Sequence, residues 1–234
     1  MDLTIATTIV LTSVAIASYL LGSISFGVLY TKFAKGVDVR DFGSKGSGMT
    51  NVSRVAGKKT AALTFICDVL KGIVAVILAK YIGLFVLSKI SGVDVNATID
   101  PKIFELIAGF CCVLGHNYPI FFGFRGGKGV ATSIGVLFLV DWRVGLITLL
   151  FFLITLAFSH YVSLSSIIGA ISVPFSTYFL YNPTEYPQSI FGISQHWFVT
   201  ILGLMFCIVV VFAHRKNIGR LIGGTESKIG KKNK

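Results

Sequence analysis

The sequence predicts an all-α polytopic membrane protein: a bundle of seven transmembrane helices with the N-terminus outside and the C-terminus cytoplasmic. Three observations predict it, namely the apolar composition, apolar runs of spanning length, and basic residues confined to a few connections. Hydrophobic residues make up 54% of the 234 residues and charged residues 13%, with a mean hydropathy of +0.81. Because a soluble domain carries about a quarter of its residues as charges, a soluble cytosolic enzyme is excluded. We expect a single membrane-embedded domain over residues 1–234.

The apolar runs place the helices. A spanning helix needs about 20 apolar residues, and such runs lie near 5–30, 61–88, 103–122, 162–181 and 192–213. The first has no basic residue ahead of it and no evident cleavage site, so we interpret it as a retained helix rather than a signal peptide. The stretch 129–158 is interrupted by Asp141, Trp142 and Arg143. Two short helices turning there give seven crossings; the alternative is a re-entrant pair beside five full spans.

The charges set the predicted orientation. There are 21 Lys and Arg against 10 Asp and Glu, a net charge of +11, and the cations concentrate in 31–60, in 123–129 and after residue 213. Short basic segments favour the cytoplasmic side. Seven crossings place all three of these segments on that side. The excess also suits anionic lipids or an anionic substrate, and the Lys-rich end 228–234 is predicted to be a solvated tail near headgroups. The four cysteines lie in apolar runs without metal-ligand spacing, so neither disulfide nor zinc is predicted.

The first basic segment, 38–54, alternates glycine with small hydroxyl residues. Glycine lets backbone N–H groups approach an anion closely. Ser44 and Thr50 could add hydroxyl donors, and Arg54 could bind a phosphate in a forked geometry. The alternative, a flexible loop with Arg54 as a membrane-surface anchor, is equally compatible with this segment alone.

The second basic segment contains Arg125-Gly-Gly-Lys128-Gly directly before an apolar run. This puts glycine amides and a lysine at a helix N-terminus, which favours phosphate. A nucleotide P-loop needs Ser or Thr after the lysine, and Gly129 stands there, so ATP is not predicted. The alternative is a glycine hinge with snorkelling cations.

Polar residues elsewhere form smaller patterns. His214 and Asn217 share a helical face after the last run, although this segment taken alone favours a juxtamembrane basic patch. Asp68 and Lys71, three residues apart within a span, are predicted to pair as scaffold. The hydroxyls in 159–166 either reach a ligand or bond back to helix carbonyls.

These segments together predict a site for a phosphorylated substrate at the cytoplasmic interface. The sequence shows neither paired carboxylates nor a Ser-His-Asp order nor a His followed four residues later by Asp. Catalysis would therefore depend on positioning and electrostatic stabilisation. A transporter or binding protein for a phosphorylated metabolite is the alternative, although its usual inverted repeats are not evident. A scaffold that gathers anionic lipid would explain the charge but not the glycine loops.

In these motifs the chain resembles the bacterial acyl-phosphate-dependent glycerol-3-phosphate 1-acyltransferases, which are integral membrane enzymes. The resemblance is carried by Gly43–Arg54, by Gly115–Thr132 and by His214–Glu226, with Asp68–Gly72 and Tyr161–Leu164 similar as well. Gly46 and Met49 depart from the family's usual Asn and Ala.

The resemblance implies transfer of an acyl group from acyl phosphate to the sn-1 hydroxyl of glycerol 3-phosphate in the bacterial plasma membrane. The products would be lysophosphatidic acid and phosphate, with the active site facing the cytoplasm. No cofactor, metal, nucleic acid or obligate protein partner is implied, and the acyl tail would lie among membrane lipids and helices. The implied catalytic residues are Ser44, Arg54, Lys128, His214 and Asn217. The implied substrate- or phosphate-binding residues are Gly43, Gly48, Thr50, Asn51, His116, Gly126, Gly127, Gly129, Thr132, Ser163 and Glu226.

Overall fold

The computed structural model describes residues 2–92, 100–181, 189–190 and 193–229. Nearly all of them are helical, and the chain divides into two compact units, Met1–Val140 and Asp141–Lys234. Within these ranges, six helical stretches are long and apolar enough to cross a membrane, and a seventh apolar helix, Val130–Val140, is shorter. The predicted all-helical membrane architecture is therefore confirmed. The count of seven crossings and the orientation of the termini stay predictions, and Lys231, Lys232 and Lys234 lie outside the described residues.

The described residues of the first unit form six α-helices in chain order. They are α1 (Leu3–Gly22), α2 (Phe26–Lys35), α3 (Met49–Leu78), α4 (Leu84–Ser91), α5 (Lys102–Asn117) and α6 (Val130–Val140). The Asp2 side chain caps α1 by accepting from the amides of Thr4 and Ile5, which satisfies two of its unpaired N–H groups. Short 3₁₀ turns at Val39–Asp41 and Ile120–Phe122 lie in the two basic loops.

Helix α3 carries Thr50, Asn51 and Arg54 from the first basic segment and the buried Asp68 and Lys71 on one long element. It bends at Gly57, whose φ of +87° is left-handed, and it continues through a π-helical turn, Ala79–Gly83, into α4. The predicted span 61–88 therefore lies inside a helical stretch from Met49 to Ser91. Helix α3 packs against α2, α5 and α6, so it connects the two basic loops of this unit.

Helices α1 and α5 pack with almost no space between their backbones. A Cβ at Gly22 would collide with the Cys112 backbone, and a Cβ at Gly115 would collide with the Tyr19 carbonyl. Small residues allow such close approach of membrane helices. Gly115 stands one residue before His116, so this packing fixes the end of α5 from which the second loop starts.

In the second unit, the part of the chain that the structure describes forms four helices and two short strands. The helices are α7 (Trp142–Ser159), α8 (Val162–Leu180), α9 (Gln195–Ala213) and α10 (Arg215–Ile222), and the antiparallel strands are β1 (Ser189–Ile190) and β2 (Ile193–Ser194). Asp141 caps α7 by accepting from the Arg143 amide, and its carboxylate pairs with the Arg143 guanidinium at 2.8 Å. The stretch 129–158 thus forms two helices that break at Asp141, as the sequence predicts. Of the predicted run 192–213, residue 192 lies outside the described residues, Ile193 and Ser194 form β2, and the helix starts at Gln195.

Candidate active site

Asn51 organises the first basic loop from inside. Its side chain is buried, with 2% exposed. The amide nitrogen donates to the carbonyls of Val39, Phe42 and Gly46 at 2.9–3.0 Å, and the amide oxygen accepts from the Ser44 backbone N–H at 2.9 Å. Because both ends of the amide are engaged within the loop, Asn51 shapes the segment 39–46 around itself.

Glycine at position 43 leaves the space that the Asn51 side chain occupies inside the loop. Gly43 has a left-handed φ of +57°, and a Cβ there would lie on the Asn51 amide oxygen. A side chain at this position would therefore be strained and would push Asn51 out of the loop. The loop motif thus has a structural requirement for Gly43 and Asn51 together.

The outer face of the same loop carries the predicted catalytic side chains. Ser44, Thr50 and Arg54 are exposed, and among the described residues their side chains have no hydrogen-bond or ion-pair partner. Gly48 precedes the first helical residue of α3 without a side-chain cap. The first amides of a helix lack intrahelical acceptors, so a helix N-terminus, a hydroxyl and a guanidinium are all presented outward.

The second basic loop folds back on the end of α5. The Gly127 amide donates to the His116 carbonyl at 3.1 Å. This amide was predicted to bind an anion, but it already donates a hydrogen bond within the protein. A Cβ at Gly127 would collide with the His116 imidazole, which explains glycine at that position. Lys128 is half-buried and Gly129 is buried immediately before α6. Thr132, in the first turn of α6, is fully buried, and its hydroxyl has no partner among the described residues.

The two basic loops are joined to one another. The Ser47 amide donates to the Gly126 carbonyl at 3.4 Å. Arg40 donates to the carbonyls of Phe122 and Arg125 at 2.5 and 3.0 Å while its guanidinium pairs with Asp38 at 2.7 Å. This hydrogen-bonded pairing lowers the pKa of Asp38 against the opposing effect of burial, and it raises the pKa of Arg40.

Arg40 is a residue that sequence reasoning missed, although its alternation with Asp38 and Asp41 was visible. Its side chain links the two loops, because Arg40 lies in the first loop and donates hydrogen bonds to two carbonyls of the second. A sequence pattern gives no sign of an arginine that donates to backbone groups 82 and 85 residues away.

A charged cluster is buried beneath the second loop. Asp68 and Lys71 form an ion pair at 2.8 Å, as predicted, with side chains 2% and 1% exposed. The Lys71 ammonium also lies 3.0 Å from His116 Nδ1 and donates to the carbonyls of Gly22 and Ile24. His116 is itself buried, so it belongs to this cluster rather than to the outer face of the site.

In the second unit, Glu226 is the centre of a polar network. Its Oε1 accepts from the Ser163 hydroxyl at 2.8 Å and from the Asn217 amide at 2.7 Å, and its Oε2 accepts from Arg220 at 2.6 Å. Burial opposes ionisation of this carboxyl, but the hydrogen bonds from Asn217, Ser163 and Arg220 outweigh it and lower the pKa of Glu226. The carboxylate therefore orients Ser163 and Asn217.

His214 lies at the junction of α9 and α10 and is buried, with 2% exposed. Its Nδ1 is 2.8 Å from the Val210 carbonyl. A carbonyl can only accept, so Nδ1 carries a proton and the neutral ring keeps its lone pair on Nε2. Asn217 follows one turn later, and its backbone N–H donates to the His214 carbonyl at 2.8 Å.

The remaining hydroxyls of the 159–166 patch bond locally. Ser159, Ser165 and Ser166 each donate to the carbonyl four residues earlier, which is the second of the two alternatives predicted for this patch. The backbone around it is held by the C-terminal segment, since the Ile229 amide donates to the His160 carbonyl and Lys228 lies over the Tyr161 ring.

The structure thus assembles the predicted site residues as two groups. The first unit brings together the loops that contain Gly43, Gly48, Gly126 and Gly127, with the cluster around His116 beneath. The second unit brings Ser163, Asn217 and Glu226 into direct contact, with His214 adjacent to Asn217.

Comparison with known proteins gives the family. The family model for glycerol-3-phosphate acyltransferase matches residues 12–224. A glycerol-3-phosphate acyltransferase from Thermoanaerobacter sp. is 38% identical over 218 residues, which cover 93% of this chain and 95% of the relative. The chain belongs to the glycerol-3-phosphate acyltransferase family. It is accordingly an acyltransferase that acts on glycerol 3-phosphate, and the resemblance stated from the motifs is confirmed.

Solved structures agree with this membership. A crystal structure of PlsY (YgiH), an integral membrane glycerol 3-phosphate acyltransferase in its glycerol 3-phosphate form, superposes with a TM-score of 0.74 at 36% identity and covers 94% of this chain and 96% of that one. The lysophosphatidic acid form superposes with a TM-score of 0.70 at 34% identity, covering 94% and 95%. The acyltransferase is therefore an integral membrane protein.

Proposed function

We propose that this acyltransferase takes its acyl group from acyl phosphate and transfers it to the sn-1 hydroxyl of glycerol 3-phosphate. The observation that carries the proposal is the joining of the two glycine-rich loops at Ser47 and Gly126, where the loops lead into the N-termini of α3 and α6. Helix N-termini and cations both favour phosphate groups. The relatives described in glycerol 3-phosphate and lysophosphatidic acid forms support the acceptor and the product.

Acyl phosphate is a mixed anhydride, so it is already activated and the reaction needs no cofactor. The acceptor oxygen attacks the acyl carbonyl carbon, the bond from that carbon to the phosphate oxygen breaks, and phosphate leaves with the electron pair. Lys128 and Arg54 offset the negative charge that grows on the leaving phosphate. Ser44 and Thr50 supply hydroxyl donors from the outer face of the first loop, and Gly129 places the start of α6 near the bound phosphate.

The proton of the acceptor hydroxyl goes to His214 in this proposal. The bond between its Nδ1 and Val210 supports a lone pair on Nε2, and a neutral imidazole is a suitable base near pH 7. Asn217 uses its amide nitrogen on Glu226, so its amide oxygen is the atom that would accept from a substrate hydroxyl. The Ser163 hydroxyl donates a hydrogen bond to Glu226, so towards a ligand this oxygen would act only as an acceptor.

The finer membrane arrangement is part of the same proposal. Residues 1–234 act as one membrane-embedded acyltransferase domain that crosses the bacterial plasma membrane seven times, with the N-terminus outside and the site facing the cytoplasm. The concentration of cations in 31–60, in 123–129 and after residue 213 supports this orientation. Single-cysteine labelling from each side tests it, and an externally labelled C-terminus would refute it.

The purified protein in lipid nanodiscs tests the reaction directly. We expect equimolar release of phosphate and lysophosphatidic acid from acyl phosphate and glycerol 3-phosphate, without coenzyme A. Arg54→Met and Lys128→Met should each lose most of the turnover, whereas Lys58→Met, a nearby exposed cation, should not. Movement of glycerol 3-phosphate across liposomes without product would favour a transporter and contradict the proposal.

A further inference from the structure

The Lys71 ammonium fixes the protonation pattern of the His116 ring. It is surrounded by four groups: the Asp68 carboxylate at 2.8 Å, the Gly22 and Ile24 carbonyls at 3.0 and 2.9 Å, and His116 Nδ1 at 3.0 Å. A charged amine has donors and no acceptor. Asp68 Oδ1 lies 3.4 Å from the same Nδ1, but this oxygen takes part in no hydrogen bond among the described residues, so the ammonium is the hydrogen-bond partner of Nδ1. The imidazole Nδ1 is therefore the acceptor, and the neutral ring of His116 carries its proton on Nε2.

The Nε2 proton points at the second basic loop. A Cβ at Gly127 would collide with Nε2, so this edge of the ring lies directly against the glycine. No residue in the described part of the chain accepts a hydrogen bond from Nε2. The cluster beneath the loop thus ends in a hydrogen-bond donor that is turned towards the segment 126–129.

Asn117 gives a second, independent observation at the same place. Its side chain is 4% exposed, and neither its amide nitrogen nor its amide oxygen has a hydrogen-bond partner among the described residues. A Cβ at Gly129 would lie 2.9 Å from the amide oxygen, so the amide borders the last residue before α6. Buried amides without partners are rare and costly, and they persist where a bound ligand or water completes their hydrogen bonds.

We propose that Lys71, held by Asp68, is a positioning residue for substrate phosphate. It orients His116 so that Nε2–H, together with the Asn117 amide, donates to a phosphate oxygen bound at the 126–129 loop. The inference rests on the proposed function, because the phosphate is that of a substrate in the acyl transfer. Either glycerol 3-phosphate or acyl phosphate supplies the same chemistry, and the Michaelis constant for each distinguishes them.

Two His116 variants test the donor. His116→Asn keeps an amide near the Nδ1 position that can accept from Lys71, but it has no atom at the Nε2 position. His116→Gln reaches the Nε2 position with an amide N–H. Hydrogen bonds to charged groups are among the stronger ones, so His116→Asn should raise KM for one phosphate substrate about tenfold with a smaller change in kcat. His116→Gln should restore most of that loss.

The paired variant Asp68→Asn with Lys71→Met tests the positioning, since it removes both charges and leaves neither one buried alone. It should raise KM for the same substrate as His116→Asn. The matched control is Lys80→Met with Glu105→Gln, which removes another ion pair to α5 at 2.9 Å and should lower thermal stability without raising KM. If the paired variant does not fold, the two His116 variants decide.

The outcomes separate this inference from the function on which it rests. Unchanged KM values for both substrates in His116→Asn, or an equal rise in the control, would overturn the positioning role while the acyl transfer stands. An inactive wild-type protein would instead refute the proposed reaction. Calorimetric titration with inorganic phosphate would then test the positioning alone, because His116→Asn should still bind phosphate about tenfold more weakly than His116→Gln.

Discussion

Replacing Asn51 with aspartate should open the first basic loop while changing the shape of the side chain very little. Aspartate keeps the oxygen that accepts from the Ser44 amide, but it loses the nitrogen that donates to the carbonyls of Val39, Phe42 and Gly46. A second carboxylate oxygen then faces those carbonyls at the 2.9–3.0 Å now spanned by hydrogen bonds. The site is 2% exposed, so water cannot replace the lost donors without the loop moving.

The magnitude follows from the contacts. An amide nitrogen has two protons, so two net hydrogen bonds of about 1 kcal/mol each are lost. Repulsion between the carboxylate and the carbonyls adds about 1 kcal/mol or more. A total of about 3 kcal/mol shifts the balance between closed and open loop roughly a hundredfold. Since Ser44 and the start of α3 depend on the closed loop, kcat/KM should fall by a similar factor.

The assay combines kinetics with hydrogen–deuterium exchange of residues 38–48 in nanodiscs. Asn51→Asp should exchange faster in this segment and lose turnover, while Ser53→Ala, two residues further along α3, should behave as the wild-type protein. Normal exchange and normal kcat/KM in Asn51→Asp would refute the reasoning. A rise in KM with normal exchange would instead make Asn51 a direct substrate ligand.

Three further predictions concern single positions. Gly127→Ala should raise KM for a phosphate substrate at least tenfold, because its Cβ would collide with the His116 ring; Gly46→Ala, whose Cβ meets no atom within 4 Å, is the kinetic control. Glu226 has a lowered pKa, so its ionised form stabilises the fold above its unfolded pKa of about 4.3. This stabilisation is lost as the pH falls through the lowered pKa, and thermal unfolding scans from pH 7 to 3 should show Glu226→Gln losing that dependence. His214→Gln should slow turnover at least a hundredfold and remove the rise of rate with pH; undiminished turnover across the pH–rate profile would exclude the histidine as base.

Much of the fold was readable in the sequence because it depends on near neighbours. Apolar runs of spanning length predict membrane helices whatever they pack against, and Asp141 predicts a helix break because it can cap the helix that follows. The ion pair of Asp68 and Lys71 was predictable for the same reason, since residues three apart share a helical face. The glycine-rich loops were equally visible, although their internal bonding was not.

What the sequence alone determined is therefore the membrane class, most helix positions, the break at Asp141 and the family of the chain. The tertiary structure decided which polar groups meet: Arg40 with carbonyls of the second loop, Lys71 with His116, and Glu226 with Ser163, which lies 63 residues away. The physical reason is that periodicity and capping act within one or two turns of a helix. Contacts between distant segments depend on close helix packing, as at Gly22 and Gly115, which fixes where each segment ends.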